Sequence, residues 1–557
     1  MRSTRILILL GLAACGGSLA AGDGASDDDG NGPGGNVGFG GAQDIGEFRG
    51  ILDRGEIPGP NTLDANGFFN EHFNPVPPTT CGGRLCLTPG LAVGRDWLSG
   101  AHQATLQIAI NTNIDPSTFV RLPMNLVVVV DHSGSMASDG RLEKVKGGLI
   151  TMIDNLKPED RLAIISFDDT VTVDAPFGPT LDRAALKQVV GALQPRGGTN
   201  IHDGLAAGFE MLGESPNAER QNRVIFLSDG LATVGITDPN RIIEMATGRI
   251  MRGVGLTTIG VGVDFDVELM RGLAERGAGN FYFVEDASAA TEVFTEELDY
   301  FMQPLGLDLK VEATAASGWT MGNVTGTRLW RSDARRGAMD IPAVFLASRT
   351  SQGGELGRRG GGSMIFVEMT PTTSSSGRVA EVRMSYRLPG AAERTTDTVL
   401  LDYTGNPQET LEEPNLTFAE MTERYAMYNM FLGLHVATQY AERDWNCAAA
   451  ALIATRQSAV AWNEKHHGDP DIEADLMLVE QFLTNLRVKG ATVETSEILG
   501  SCPNLGPGNP PTGWDDDRGH DHGRAYGCYS ASKASGGWMV FLGLAVGALL
   551  LRRRRRR

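Results

Sequence analysis

The feature that most limits what this chain can become is the run Leu126, Val127, Val128, Val129, Val130, apolar at every position and followed at once by Asp131. A strand with one wet face alternates apolar and polar residues, so an unbroken apolar run predicts a strand buried on both faces. The stretches 161–167 and 224–227 read as further strands, and helical periodicity over 142–156 separates the first two. Strand and helix in alternation predict a doubly wound, mostly parallel α/β sheet over 121–301. Sheets of that type bind ligands beyond the carboxyl ends of their strands.

At that end of the first strand stand Asp131, His132, Ser133, Gly134 and Ser135, one carboxylate and two hydroxyls in a loop bent by glycine. Two more loops end neighbouring elements. Gly197, Gly198, Thr199 and Asn200 open a helix from Ile201, and Ser228, Asp229 and Gly230 close the strand 224–227. All the side chains concerned offer hard oxygen. Mg²⁺ takes a compact octahedron of such ligands and retains several waters, so one or two carboxylates plus hydroxyls suit it better than Ca²⁺, which takes more oxygens. His132 and His202 lie near these loops in sequence but read as loop residues, so no general base is expected.

The three loops together resemble the metal-ion-dependent adhesion site of von Willebrand A domains. The resemblance implies that Asp131, Ser133, Ser135 and Thr199 coordinate Mg²⁺, with Mn²⁺ or Ca²⁺ as substitutes, and that Asp229 acts through water. It implies a non-enzymatic function: a coordination position left for an exposed Asp or Glu of a protein partner. The segments 161–167 and 257–262 match other strands of the family. In related domains the last helix shifts on ligation, here about 288–301. Two other readings stay open: a structural or assembly factor of the cell surface in which the cation only stabilises the fold, and a metal-dependent hydrolase.

Composition narrows the setting. With 49 Lys and Arg against 68 Asp and Glu the formal net charge is −19. Eight of the Arg lie in 1–14 and 552–557; without them 41 basic residues face the same 68 acids, a balance of −27. A body that acidic repels nucleic acid and suits work with cations. At 557 residues the chain exceeds one core, and several domains are expected.

The termini read as addresses. Residues 1–14 combine Arg2 and Arg5 with an apolar run, 6–10, too short to cross a bilayer, which is a secretion signal. Leu12, Ala13, Ala14 and Cys15 resemble the lipobox of bacterial lipoproteins, implying that Cys15 is the acylated first residue; ordinary cleavage after Ala20 or Ala21 is the alternative. A flexible Gly-rich and Asp-rich tether is expected over 15–43. At the other end a linker, 503–526, precedes Cys528, a short apolar stretch and six Arg. This resembles the C-terminal sorting tails of myxobacterial surface proteins, with 527–557 either processed or kept as an anchor. The expected location is the cell envelope, as a membrane-anchored lipoprotein facing the periplasm or the cell surface.

In an exported chain Cys81 with Cys86 and Cys447 with Cys502 form two disulfides, Gly82 and Gly83 easing closure of the shorter loop; free thiols at 81 and 86 are the alternative. The flanks complete the plan. An N-terminal region, 44–120, holds a short amphipathic helix over 45–55 and loosely resembles the start of bacterial von Willebrand A-domain lipoproteins. A β-sandwich is expected over 302–405 from short alternating segments such as 363–369 and 379–388, and 104–111 is a strand that joins it if the central domain is an insertion. A helical region follows over 415–490, where Tyr425, Tyr428, Met430, Phe431 and Leu434 form a core stripe. Oligomeric state is left open.

Overall fold

The strand Met124–Asp131 is buried over its whole length, and its side chains divide between two cores. Leu126, Val128 and Val130 point into one, with Leu149 and Phe294, while Val127 and Val129 point into the other, with Leu205 and Leu273. Each Val or Leu so enclosed contributes roughly 1.5–3 kcal/mol of apolar burial. This is why the unbroken run belongs in the centre of the sheet. The computed structural model describes residues 35–503, apart from 75–76, 78–80, 116–118, 214–218, 251–253, 263–264, 285–286, 296–302, 348 and 350–358. The signal, Cys15, most of the tether, nearly all of the linker and the tail with Cys528 lie outside the described residues.

Seven strands form the central sheet, in the order Gly41–Ala42, Asn280–Val284, Gly255–Val261, Gln221–Ser228, Met124–Asp131, Arg161–Phe167 and Val171–Pro179. All pairs are parallel except the last, an antiparallel edge. Helices Arg141–Asn155, Arg183–Ala192 and Ala287–Thr295 contribute to one core and Ile201–Leu212, Pro239–Ile250 and Val267–Arg276 to the other. The helix Ile201–Leu212 reaches the central strand through Gly208, where a Cβ would fall 2.6 Å from Val129 Cγ2. From Met124–Asp131 the chain builds outward on one side, then returns to place Gln221–Ser228 on the other. The carboxyl ends of those two adjacent strands are therefore the topological switch point of the sheet.

This domain is inserted into a second body. The strand His102–Thr112 precedes it and Pro304–Ala315 follows it, and both belong to one antiparallel sheet that also holds Gly35–Phe39, Leu85–Arg95, Trp319–Thr325, Arg336–Leu346, Met364–Pro371, Gly377–Arg387 and Arg394–Tyr403. One apolar core collects Leu106, Ile108, Val311, Ile365, Val382 and Leu401 from across it. The region expected at 44–120 is thus divided: its strands join this sheet, and its helices Gly46–Asp53 and Ala65–Asn70 join the C-terminal helices.

The expected tether also needs correction. Gly35–Phe39 is a buried strand pairing with 111–112 on one edge and 344–346 on the other, and Gly41–Ala42 extends the central sheet. The segment is poor in large side chains, but Val37 and Phe39 enter the apolar core of the antiparallel sheet while strands on both edges satisfy its backbone.

Beyond the short strand Asn415–Leu416, helices Met421–Ala441, Trp445–Lys465 and Pro470–Lys489 form the C-terminal layer. Tyr425, Tyr428, Met430, Phe431 and Leu434 are all in its core, Phe431 lying 5.7 Å from Phe68 and 5.4 Å from Phe69, centroid to centroid. Phe48 meets Phe482 edge to face at 6.1 Å. Cys447 is bonded to Cys502, and Cys81 to Cys86. No helix among the described residues is long and apolar enough to cross a membrane.

Candidate metal centre

The register Val130↔Leu227 sets the ends of the two central strands level, so Asp131 and the pair Ser228, Asp229 emerge side by side at the switch point. Both carboxylates are fully buried. Asp131 Oδ1 accepts from the backbone N–H of Ser133 at 2.8 Å and its Oδ2 from the Ser228 hydroxyl at 2.6 Å. Burial pushes the Asp131 carboxyl up to about 6; hydrogen bonds from Ser228 and Ser133 act against the rise and the neighbouring Asp229 charge adds to it.

The remaining oxygens form a chain. Ser133 Oγ lies 3.0 Å from Ser135 Oγ, and Ser135 Oγ donates to Asp229 Oδ1 at 2.7 Å. Thr199 approaches from the third loop. A methyl group added at Gly230 would stand 3.4 Å from Thr199 Oγ1 and 3.7 Å from Ser135 Oγ, so the two hydroxyls converge over the same glycine. All five residues singled out in the sequence are brought together. The four described cysteines are elsewhere, Cys81 and Cys86 in the β-rich body and Cys447 and Cys502 in the helical layer.

The loops are fixed to one another by backbone bonds. Gly134 N–H donates to Gly197 O at 3.1 Å, Arg196 N–H to His132 O at 2.8 Å, and Thr233 N–H to Thr199 O at 2.9 Å. Asp168, buried at the end of the next strand, accepts from Arg196 Nε at 2.6 Å and from the Thr170 backbone and hydroxyl at 2.8 and 2.9 Å. Burial opposes its ionisation, but these donors outweigh it and hold the carboxyl below its ordinary range. His132 turns Nδ1 to the Gln194 carbonyl at 2.9 Å, a loop role. His202 pairs with Asp203 at 2.8 Å near the helix start.

Two participants were not read from the sequence. In sequence Ser228 is only the residue before Asp229, yet its bond to Asp131 at 2.6 Å is shorter than that of the Ser133 N–H at 2.8 Å. Arg141 stands one residue before the helical periodicity that the sequence shows from Leu142. Its Nη1 donates to Asp229 Oδ2 at 2.9 Å with the side chain 6% exposed. The guanidinium packs over Gly262, whose φ is +76° and where a Cβ would fall 2.5 Å from Arg141 Nε.

The donor set fits a small divalent ion. It consists of hard oxygen only, two buried carboxylates and three hydroxyls, and one carboxyl is held high by burial and by its like-charged neighbour, as expected where a cation belongs. Around it the surface is open: Gly134, Ser135, Asp139 and Asp169 are exposed, and so is Leu231, at 56%.

Comparison with known proteins agrees with the fold. Residues 125–296 match the von Willebrand factor type A domain family. The chain is similar to the uncharacterized protein YfbK of Escherichia coli (strain K12), 28% identical over 196 residues, covering 35% of this chain and 34% of the relative. It is also similar to the uncharacterized protein sll0103 of Synechocystis sp., 30% identical over 195 residues, 35% of this chain and 45% of the relative. It therefore spans less than half the length of these curated relatives. Among solved structures, a von Willebrand factor type A protein from Catenulispora acidiphila matches with a TM-score of 0.43 and 16% identity, over 70% of this chain and 89% of the other.

Proposed function

Starting from a von Willebrand factor type A domain, a kind that generally mediates metal-dependent protein interactions, we propose that this chain is an envelope-anchored module that captures a protein partner through a divalent cation. Asp131, Ser133, Ser135 and Thr199 would hold the ion, Mg²⁺ by the donor chemistry, with Asp229 behind them. The ion when bound supplies an electrophilic position for a carboxylate oxygen of the partner, an exposed Asp or Glu. The observation that carries this reading is the pair of fully buried carboxylates, Asp131 and Asp229, at the switch point with the hydroxyls of Ser133, Ser135 and Thr199 beside them and, among the described residues, the Arg141 guanidinium against Asp229. Two carboxylates stripped of water at 0% exposure are costly unless something positive completes the site.

The chain's own residues shape the rest. Backbone bonds among the three loops keep the hydroxyls converged before any ligand arrives, which lowers the ordering cost of binding. Exposed Leu231, two residues beyond Asp229, gives the rim an apolar contact for the partner. Anchoring rests on the lipobox-like Cys15 and on the tail with Cys528, and places the site at the envelope.

The test is retention of partners from an envelope extract by residues 35–503, which keep the first strand and Cys502, with Mg²⁺, with EDTA, and with an Asp131→Ala variant checked by circular dichroism. A partner held only by wild type with Mg²⁺ is expected. Equal retention in all three arms would sink metal-dependent capture. A melting temperature that falls in EDTA without loss of any partner would assign the cation to stability alone, as in an assembly factor.

A further inference from the structure

The Asp229 carboxylate has both oxygens committed before any ligand arrives. Ser135 Oγ holds Oδ1 at 2.7 Å and Arg141 Nη1 holds Oδ2 at 2.9 Å. Arg141 sits at the first position of the helix Arg141–Asn155, buried, with its guanidinium laid against the backbone of Gly262 at the end of a neighbouring strand. Exposed Asp139 also lies 3.9 Å from its guanidinium. A long side chain packed in this way is not a mobile surface charge. Its charge is a permanent part of the site, placed on one of two equally buried carboxylates.

The consequence for binding follows from charge. Counting only the buried trio, Asp131 and Asp229 carry two negative charges and Arg141 one positive charge, so the trio is net −1 toward an incoming cation and net +1 once a divalent ion is seated; exposed Asp139, 3.9 Å from Arg141, lies outside that sum. Without Arg141 the same arithmetic gives −2 and then zero. Resting on the metal-binding reading above, we propose that Arg141 is a built-in counter-cation that ties Asp229 back from the ion. It thereby weakens cation binding and leaves the loaded site positive, so that it requires an anionic group from the partner. The residue is a positioning and specificity element that acts through Asp229; it does not itself touch the partner carboxylate.

The experiment uses the purified full chain and two probes, Mn²⁺ and acetate, the latter standing in for a partner's carboxylate. Mn²⁺ affinity is measured by titration calorimetry and by the electron paramagnetic resonance signal of the free ion. Acetate binding to the loaded protein is followed by the loss of Mn²⁺-bound water in proton relaxation. Arg141→Gln and Arg141→Met both remove the charge, and the second retains an apolar stem against Gly262, so that one carries the reading if the other does not fold. Arg141→Lys keeps the charge. Both neutral variants are expected to bind Mn²⁺ more tightly by about tenfold or more, given a unit charge removed from beside a carboxylate of a partly desolvated site. They should bind acetate more weakly, while Arg141→Lys stays close to wild type.

Unchanged or weaker Mn²⁺ binding by folded neutral variants would overturn the proposal and reduce Arg141 to a packing strut. Tighter Mn²⁺ binding with unaltered acetate binding would overturn the part concerning the partner. Wild type that binds no Mn²⁺ beside neutral variants that do would support the counter-cation and sink the metal-binding reading of the natural chain. Binding by none would remove both.

Discussion

Two groups of buried carboxylates in this molecule are treated in opposite ways. Where the N-terminal segment meets the C-terminal helices and the central domain, four acids each have a cation against them. Glu71 pairs with Arg49 at 2.6 Å, Asp475 with His72 at 2.9 Å, Asp471 with Arg349 at 2.7 Å, and Asp44 with Arg359 at 2.9 Å, the last also holding Glu292 of the helix Ala287–Thr295. Burial works against ionisation throughout this group: Arg49 and the Ile45 backbone N–H hold the Glu71 carboxyl below the usual range, while at Asp475 burial prevails and the carboxyl stays above it even with His72 beside it. At the switch point Asp131 receives neutral donors, Ser133 and Ser228, and its carboxyl rises to about 6. The first group is closed and serves the fold. The second is short of positive charge in a protein that could have supplied it, and that shortage marks a place where a cation from outside completes the structure.

If the contrast is real, breaking a member of the closed group should cost stability and leave cation binding alone. Asp475→Ala removes the partner of a buried histidine; since His72 escapes part of the penalty by losing its proton, the expected loss is about 3 kcal/mol. Urea denaturation measures it, and Mn²⁺ affinity should match wild type. A cation affinity that falls with the stability would mean that the two groups are coupled and the contrast is false.

The same pair gives a pH signature. Burial alone would lower the His72 pKa, but Asp475, by charge and hydrogen bond, brings it up to about 9 from 6.5. A histidine with a raised folded pKa stabilises fully below its unfolded value and loses that contribution as pH climbs through the folded one. Wild type should therefore lose about 3 kcal/mol relative to a His72→Leu/Asp475→Leu double variant, in which neither member of the pair titrates, between pH 6 and pH 10. Parallel stability curves for the two proteins over that range would show that His72 is neutral in the fold.

How much of this was legible beforehand follows from whether the information is local. The run 126–130 declared its own burial, and Asp131, Ser133, Ser135, Thr199 and Asp229 each stand in a short motif at the end of an element, where the chain's pattern changes. The strand Gly35–Phe39 was hidden, because Gly-Asn-Val-Gly-Phe has the composition of a tether and becomes a strand only between partners more than seventy and three hundred residues away. The division of 44–120 between sheet and helices was hidden for the same reason: Phe68 and Phe69 find Phe431, and His72 finds Asp475, across most of the chain. Arg141 lay in view as a charged residue at a helix start, where a basic side chain is out of keeping with the helix dipole. That misfit was the available signal for a role beyond the helix.

The smallest expected effect is also the sharpest test of the contrast. Asp131→Asn keeps size and retains an oxygen for the Ser133 N–H, while the Ser228 hydroxyl can turn to accept from the new amide. What disappears is a charge whose folded pKa is raised from 3.8 to about 6. A carboxyl raised on folding is a liability above its folded pKa, since the unfolded chain ionises it freely and the folded one does so at a cost. At pH 7 in EDTA the variant should be more stable than wild type by about 1–2 kcal/mol, and excess Mg²⁺ should reverse the order by stabilising wild type alone. The analogous change in the closed group, Asp475→Asn, should destabilise under both conditions. If Asp131→Asn instead destabilises in EDTA, the oxygen cluster is an ordinary satisfied network, and the shortage of positive charge at the switch point has no energetic meaning.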